Sequence, residues 1–242
     1  MPDYFDQHDY DIRCEWGLAG IAELSPSSEV ILIVDILSFS TSVDIAVGNG
    51  AIVYPYRGDE ISAADYAQAL DAVLANFGRG HSKGYSLSPA SLVNIPEGTR
   101  LVLASPNGAS LSLATGSVPT LSGCLRNAGA VAQAAQKVGK RISIIPAGER
   151  WVNGSLRPAL EDFIGAGAII NHLNGTCSPE ATAAKAVFLQ VKSTLPETLG
   201  QCSSGRELIG RKHARDVELA AALNQSSSTP RLIDGAYRNQ TA

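Results

Sequence analysis

Three carboxylates and two guanidiniums crowd into residues 149–162, as Glu149, Arg150, Arg157, Glu161 and Asp162, in a chain only 17% of whose residues are charged. Such a concentration in a charge-poor sequence points to a site where acids and bases act on a charged ligand. Far upstream, Asp35 closes the apolar run Val30-Ile31-Leu32-Ile33-Val34 and is followed by Ser38, Ser40, Thr41 and Ser42. A single hard oxygen ligand, then hydroxyls and the free amides of a new helix, suit a phosphate and Mg²⁺. The hydroxyls also have a plainer reading, as caps of that helix. Ser105-Pro106-Asn107-Gly108 repeats the arrangement after the run Leu101-Val102-Leu103, with amides that could face a ligand, although Asn-Gly equally marks a tight turn. Asn127, behind Gly123-Cys124-Leu125-Arg126, carries the weakest signal, because asparagine before a helix is ordinarily a cap.

The elements that must position these groups alternate along the chain. Residues 30–35, 51–56, 101–104 and 142–146 read as strands, and 61–77, 128–138 and 158–173 as helices. After Asn174-Gly175 the pattern is mainly helical, over 180–191, 205–210 and 216–223, before residues 230–233. This alternation predicts an α/β fold whose buried strands form a parallel sheet, with ligands bound beyond their carboxyl ends. Pro158 opens a helix carrying Glu161 and Asp162, which point about 100° apart, so at most one lies on its most buried face while the other reaches the strand ends. Residues 78–98 are rich in Gly, Ser and Pro and read as a long loop, a lid or a crossover.

Three familiar patterns fail on context. Gly80-His81-Ser82-Lys83-Gly84 matches a nucleophile elbow, but a polar segment precedes it where a buried strand is needed, which argues against Ser82 as a nucleophile. Phosphatases that form a phospho-aspartate keep a second aspartate two residues on, where this chain has Leu37. Gly165-Ala166-Gly167-Ala168 sits inside a helical pattern and is explained by close helix packing better than by dinucleotide binding.

Composition narrows the class further. A 45% hydrophobic content over 242 residues supports a large core, and a net charge of -4 offers no basic surplus for nucleic acid. Cys14, Cys124, Cys177 and Cys202 show neither C-x-x-C spacing nor a disulfide framework, which fits a reducing cytoplasm. With no signal-like start and no apolar run of spanning length, a soluble protein without membrane partners is expected. The partner is expected to be a small phosphorylated molecule. The sequence admits a homodimer without specifying one.

In order, Val34-Asp35-Ile36-Leu37 with Ser40-Thr41-Ser42, Ser105-Pro106-Asn107-Gly108, residues 123–128, Ala147-Gly148-Glu149-Arg150, and Leu160-Glu161-Asp162 with Gly165-Ala166-Gly167 resemble the 2-phosphosulfolactate phosphatase family. The tail is similar too, in Ser204-Gly205-Arg206-Glu207-Leu208, Asp216-Val217 and residues 230–235, so the resemblance covers residues 29–237. It implies a Mg²⁺-dependent phosphatase of three-layer α/β/α architecture that releases phosphate from 2-phospho-3-sulfolactate on a route to coenzyme M. The whole chain is then expected to be one unit, built either as a single lobe or as two intimately packed α/β lobes with a crossover near residues 78–98. Two departures stand out. Ser38 occupies the place of an anion-binding arginine, and the glycine-rich stretch before Ser88-Pro89 is shortened to Gly84-Tyr85-Ser86-Leu87.

On this reading Asp35 holds Mg²⁺ with Glu161 or Asp162, and Glu149 is the general base. Ser38, Ser40, Thr41, Asn107, Gly108 and Asn127 hold the phosphate, while Arg150 and Arg157 clamp the rest of the anion or stabilise the transition state. The rival reading is a binding or regulatory protein that kept the cradle and lost turnover.

Overall fold

The computed structural model describes residues 4–58, 62–76 and 84–240. Its strands are β1 (Ile12–Cys14), β2 (Val30–Val34), β3 (Ile52–Tyr56), β4 (Val73–Leu74), β5 (Arg100–Ala104), β6 (Thr120–Gly123), β7 (Ile142–Pro146), β8 (Glu149–Arg150), β9 (Leu156–Arg157), β10 (Pro230–Ile233) and β11 (Ala236–Asn239). The helices are α1 (Gly17–Leu24), α2 (Phe39–Gly48), α3 (Ala63–Ala69), α4 (Gly108–Ala114), α5 (Ala128–Val138), α6 (Leu160–Ile170), α7 (Pro179–Val191), α8 (Leu195–Gln201), α9 (Ser203–Gly210) and α10 (Ala214–Ala220).

Nine strands form one sheet in the order β1-β7-β2-β6-β10-β11-β3-β5-β4, with β8 and β9 apart as a hairpin. Pairing is parallel from β1 to β6 and again from β3 to β4, and antiparallel only around the β10–β11 hairpin between those halves. Strand β2 shows why its sequence is apolar throughout. Val30, Leu32 and Val34 pack with α5 and α6 residues such as Val131, Ile164 and Ile169, while Ile31 and Ile33 pack on the opposite face with Ile21 of α1 and Leu111 of α4. The result is the expected three-layer α/β/α arrangement.

Three successive antiparallel pairings leave β3 and β5 running opposite to β2. A flat sheet would send their carboxyl ends to opposite edges. A right-handed twist of roughly 20–25° per strand, summed over the five steps from β2 to β5, is about 100–125°, so the two carboxyl ends no longer point to strictly opposite edges. The loop after β5 meets the loop after β2, where Gly108 N donates to Asp35 Oδ2 at 2.9 Å.

Several sequence expectations are refined. The helix expected over 61–77 ends at Ala69 as α3, because Asp71 takes φ 48° and Val73–Leu74 pair with β5; residues 61 and 77 lie outside the described residues. The loop expected over 78–98 is described from residue 84 and is well anchored. Ser86 bridges Asn76, Ser42 Oγ donates to Leu87 O at 2.9 Å, and Ala90 N donates to Asp216 Oδ1 at 3.1 Å. Ser82 lies outside the described residues. The small-residue run in α6 does serve close packing, since a Cβ on Gly167 would lie 2.0 Å from Ala184 O of α7. Among the described residues, no helix is long and apolar enough to cross a membrane. The four cysteines are free thiols.

Candidate active site

Asp35 leaves the end of β2 with its carboxylate fixed by main chain. Phe39 N donates to Oδ1 at 3.2 Å, and Gly108 N to Oδ2 at 2.9 Å. Only glycine fits at 108, for a Cβ there would lie 2.3 Å from Phe39 Cδ1 and 2.8 Å from Asp35 Oδ2. The Asn-Gly pair therefore does more than make a turn: it lets the start of α4 close onto the β2 carboxylate.

Asp162, in the first turn of α6, is held in the same manner. Ile36 N donates to its Oδ1 at 2.7 Å and Gly148 N to its Oδ2 at 2.9 Å, so one side chain ties the loop after β2 to the loop after β7. Burial raises its carboxyl well above the usual carboxylate range, and the neighbouring charges of Asp35 and then Glu161 add to the shift, while the two amides oppose it. Glu161 is itself buried and reaches a different neighbour, Cys202 at the start of α9. Burial, together with the Glu161 carboxylate, pushes the Cys202 thiol up to about 12, so it is protonated and no nucleophile at neutral pH.

Glu149 begins the β8–β9 hairpin, and Asn107 Nδ2 donates to its Oε2 at 2.9 Å. Burial raises its carboxyl, the Asn107 hydrogen bond lowers it, and Glu161 and Arg157 act in opposite senses. Four carboxylates thus lie within electrostatic reach of one another in a chain, Asp35 to Asp162 to Glu161 to Glu149.

Not every expected residue faces this cluster. Ser40 Oγ donates to Ile33 O at 3.2 Å and accepts from Asp35 N at 3.0 Å, and Thr41 Oγ1 donates to Ile36 O at 2.8 Å. Both are wholly buried with their hydroxyls engaged by main chain, so they shape the turn that carries Asp35. Asn127 is also a structural clamp: it accepts from Cys124 N at 2.8 Å and donates to Ser122 O and Ser228 O. Ser38 precedes α2 and is 2% exposed. Arg150 is exposed, and its Nη1 donates to Gly154 O at 3.2 Å in the hairpin turn. It borders a cleft of about 160 Å³ that Trp16, Asn107, Glu149 and Leu156 also line. Arg157 is more enclosed, and its Nη2 donates to Ser204 Oγ at 3.2 Å.

Sequence reasoning missed Ser204 and Cys202, and also the main-chain amides of Ile36 and Gly148. Residues 204–208 were visible as a motif, but nothing local in them points to a helix start 40 residues downstream packing beside Glu161.

Among the described residues, no three His, Cys, Asp or Glu side chains are arranged as a ready metal-ligand set. Asp35, Glu161 and Asp162 therefore do not form a three-carboxylate cage. The donor set does fit Mg²⁺ of the kind bound by one or two carboxylates, waters and substrate phosphate, because Asp35 and Asp162 are hard, pre-oriented and mutually repelling.

A family model described as 2-phosphosulpholactate phosphatase matches residues 21–235. The chain belongs to that family. A 2-phosphosulfolactate phosphatase of Methanothermobacter thermautotrophicus is 28% identical over 219 residues, covering 88% of this chain and 91% of the relative. Proteins described as probable 2-phosphosulfolactate phosphatases are similarly related. That of Prochlorococcus marinus is 28% identical, covering 84% of this chain and 88% of the relative, and that of Carboxydothermus hydrogenoformans is 29% identical, covering 84% and 85%. The match to the 2-phosphosulpholactate phosphatase family spans every element that brings an acid to the cluster, from β2 through α6.

Proposed function

We propose that this chain hydrolyses a small anionic phosphomonoester, 2-phosphosulfolactate or a close relative, at the Asp35–Asp162–Glu161–Glu149 cluster, and that it does so with Mg²⁺ in the cytoplasm. The observation that carries the reading is the junction of Asp35 with Gly108 N at 2.9 Å, which joins the loops after β2 and β5, strands of two oppositely directed half-sheets, beside the acidic cluster. Four acids alone would repel a phosphoester, so an acidic cleft that serves a phosphatase calls for bound cations. Asp35 and Asp162 would hold Mg²⁺, with Glu161 beside them. When bound, the ion supplies Lewis-acid stabilisation of charge on the phosphoryl oxygens.

The chain's own residues supply the remainder. The amides of Phe39 and Gly108 fix the Asp35 carboxylate, and Asp162 fixes the loops after β2 and β7, so the cleft is set before substrate arrives. Glu149, oriented by Asn107 and with its carboxyl raised mainly by burial, takes the proton of the attacking water. Phosphate release should be measured over small phosphoesters with Mg²⁺ and with a chelator. The reading predicts release that depends on the metal and is greatest for 2-phosphosulfolactate. Metal-independent release, or tight substrate binding without turnover, would contradict it.

A further inference from the structure

The β8–β9 hairpin sorts two arginines that the sequence could not tell apart. Directly paired residues on neighbouring strands project from the same face, and here Glu149 pairs with Arg157 while Arg150 pairs with Leu156. Leu156 lies against α1, with its Cδ1 3.5 Å from the position of a Cβ at Gly17. The Arg150–Leu156 face is therefore turned toward α1. The Glu149–Arg157 face is turned toward the acids, and Arg157 acts electrostatically on Glu149.

Arg157 is also held. Its Nη2 donates to Ser204 Oγ at 3.2 Å, its Cζ lies 5.8 Å from the centre of the Trp151 ring, and Ser204 is only 5% exposed. A guanidinium carries five N–H donors in a rigid fork, so an edge steadied by serine and tryptophan leaves another edge pre-oriented for an acid group.

We propose that Arg157, positioned by Ser204 and Trp151, is the specificity-determining cation of this site, and that it grips the acid group next to the phosphoester carbon of the substrate. This rests on the phosphatase reading above and adds the residue that reads the second acid group of the substrate. Arg150, on the α1 side of the hairpin and bonded to its own turn, also borders the cleft that Glu149 lines.

The test is steady-state phosphate release by wild type, Arg157→Gln, Arg150→Gln and Ser204→Ala, with Mg²⁺ present. Three substrates distinguish the acid groups: 2-phosphosulfolactate, 2-phospholactate, which lacks the sulfonate, and isopropyl phosphate, which has neither. For Arg157→Gln the expected result is a loss of roughly 10- to 100-fold in kcat/KM on the acid-bearing substrates, mostly in KM, and less than about three-fold on isopropyl phosphate. Ser204→Ala should show a smaller loss of the same pattern, and Arg150→Gln no preference for the acid-bearing substrates. A 2-phospholactate loss as large as that on 2-phosphosulfolactate assigns the contact to the carboxylate; a loss on 2-phosphosulfolactate alone assigns it to the sulfonate. Equal losses on all three substrates, or the selective loss appearing in Arg150→Gln, would overturn the assignment while leaving the phosphatase reading intact. A folded wild type that releases phosphate from none of them would overturn both.

Discussion

Asp162 accepts amide hydrogens from both Ile36 and Gly148, so it joins the ends of β2 and β7 while adding charge to the cleft. An asparagine would satisfy one amide and turn its own N–H₂ toward the other. Asp162→Asn is therefore expected to destabilise the fold by about 1–3 kcal/mol through one unmade buried hydrogen bond. Glu161→Gln, without such a double clamp, should cost less than about 1 kcal/mol. Urea unfolding of both variants checks this, and equal costs would remove Asp162 from its clamping role. Glu149 offers a second test at the same scale. Asn107 lowers its carboxyl and so does Arg157, against burial and the charges of Glu161 and Glu207. Removing the amide in Asn107→Ala should raise the Glu149 carboxyl further. A base is active when deprotonated, so the acid limb of the kcat profile should move to higher pH, as a kcat–pH titration would show.

The elements carry these groups with very little tolerance. A methyl group at 108 would press on Asp35 and Phe39, so Gly108→Ala is expected to lose at least about ten-fold in phosphate release, through a displaced carboxylate. A normal rate in that variant would show that the α4 start need not touch Asp35. The strongly apolar elements were legible in the sequence: β2, β5 and β7 were placed to within a residue, and α5 without error, because periodicity and burial agree there. Short or polar elements were not. Strands β1 and β6 are three and four residues long, and β8–β9 lies in the polar segment between the strand at 142–146 and the helix that Pro158 opens. Asp35, Glu149, Glu161 and Asp162 were legible by residue type. Ser40, Thr41 and Asn127 were read toward phosphate because the sequence cannot show that a hydroxyl or amide is already engaged by its own main chain.

Across the whole molecule, an antiparallel hairpin reverses one half-sheet, yet the loops after β2 and β5 meet at the Asp35–Gly108 contact, an outcome no local pattern encodes. Asp162 links that architecture to pH. Its carboxyl is raised by burial, by Asp35 and by Glu161, so the fold is favoured while it is protonated and that stability is lost as pH rises through its folded value. A divalent cation offsets the ionised form, so Mg²⁺ should raise Tm more at pH 8 than at pH 5, and an equal gain at both would contradict an Asp35–Asp162 metal site.

The central claim, phosphomonoester hydrolysis at the Asp35 cleft, is tested most directly by measuring phosphate release from 2-phosphosulfolactate with Mg²⁺ for wild type beside Asp35→Asn, with circular dichroism establishing the folded fraction of each. The account predicts release by wild type and a loss of roughly 100-fold or more in the folded variant. No release by folded wild type, or near-normal release by Asp35→Asn, would contradict it.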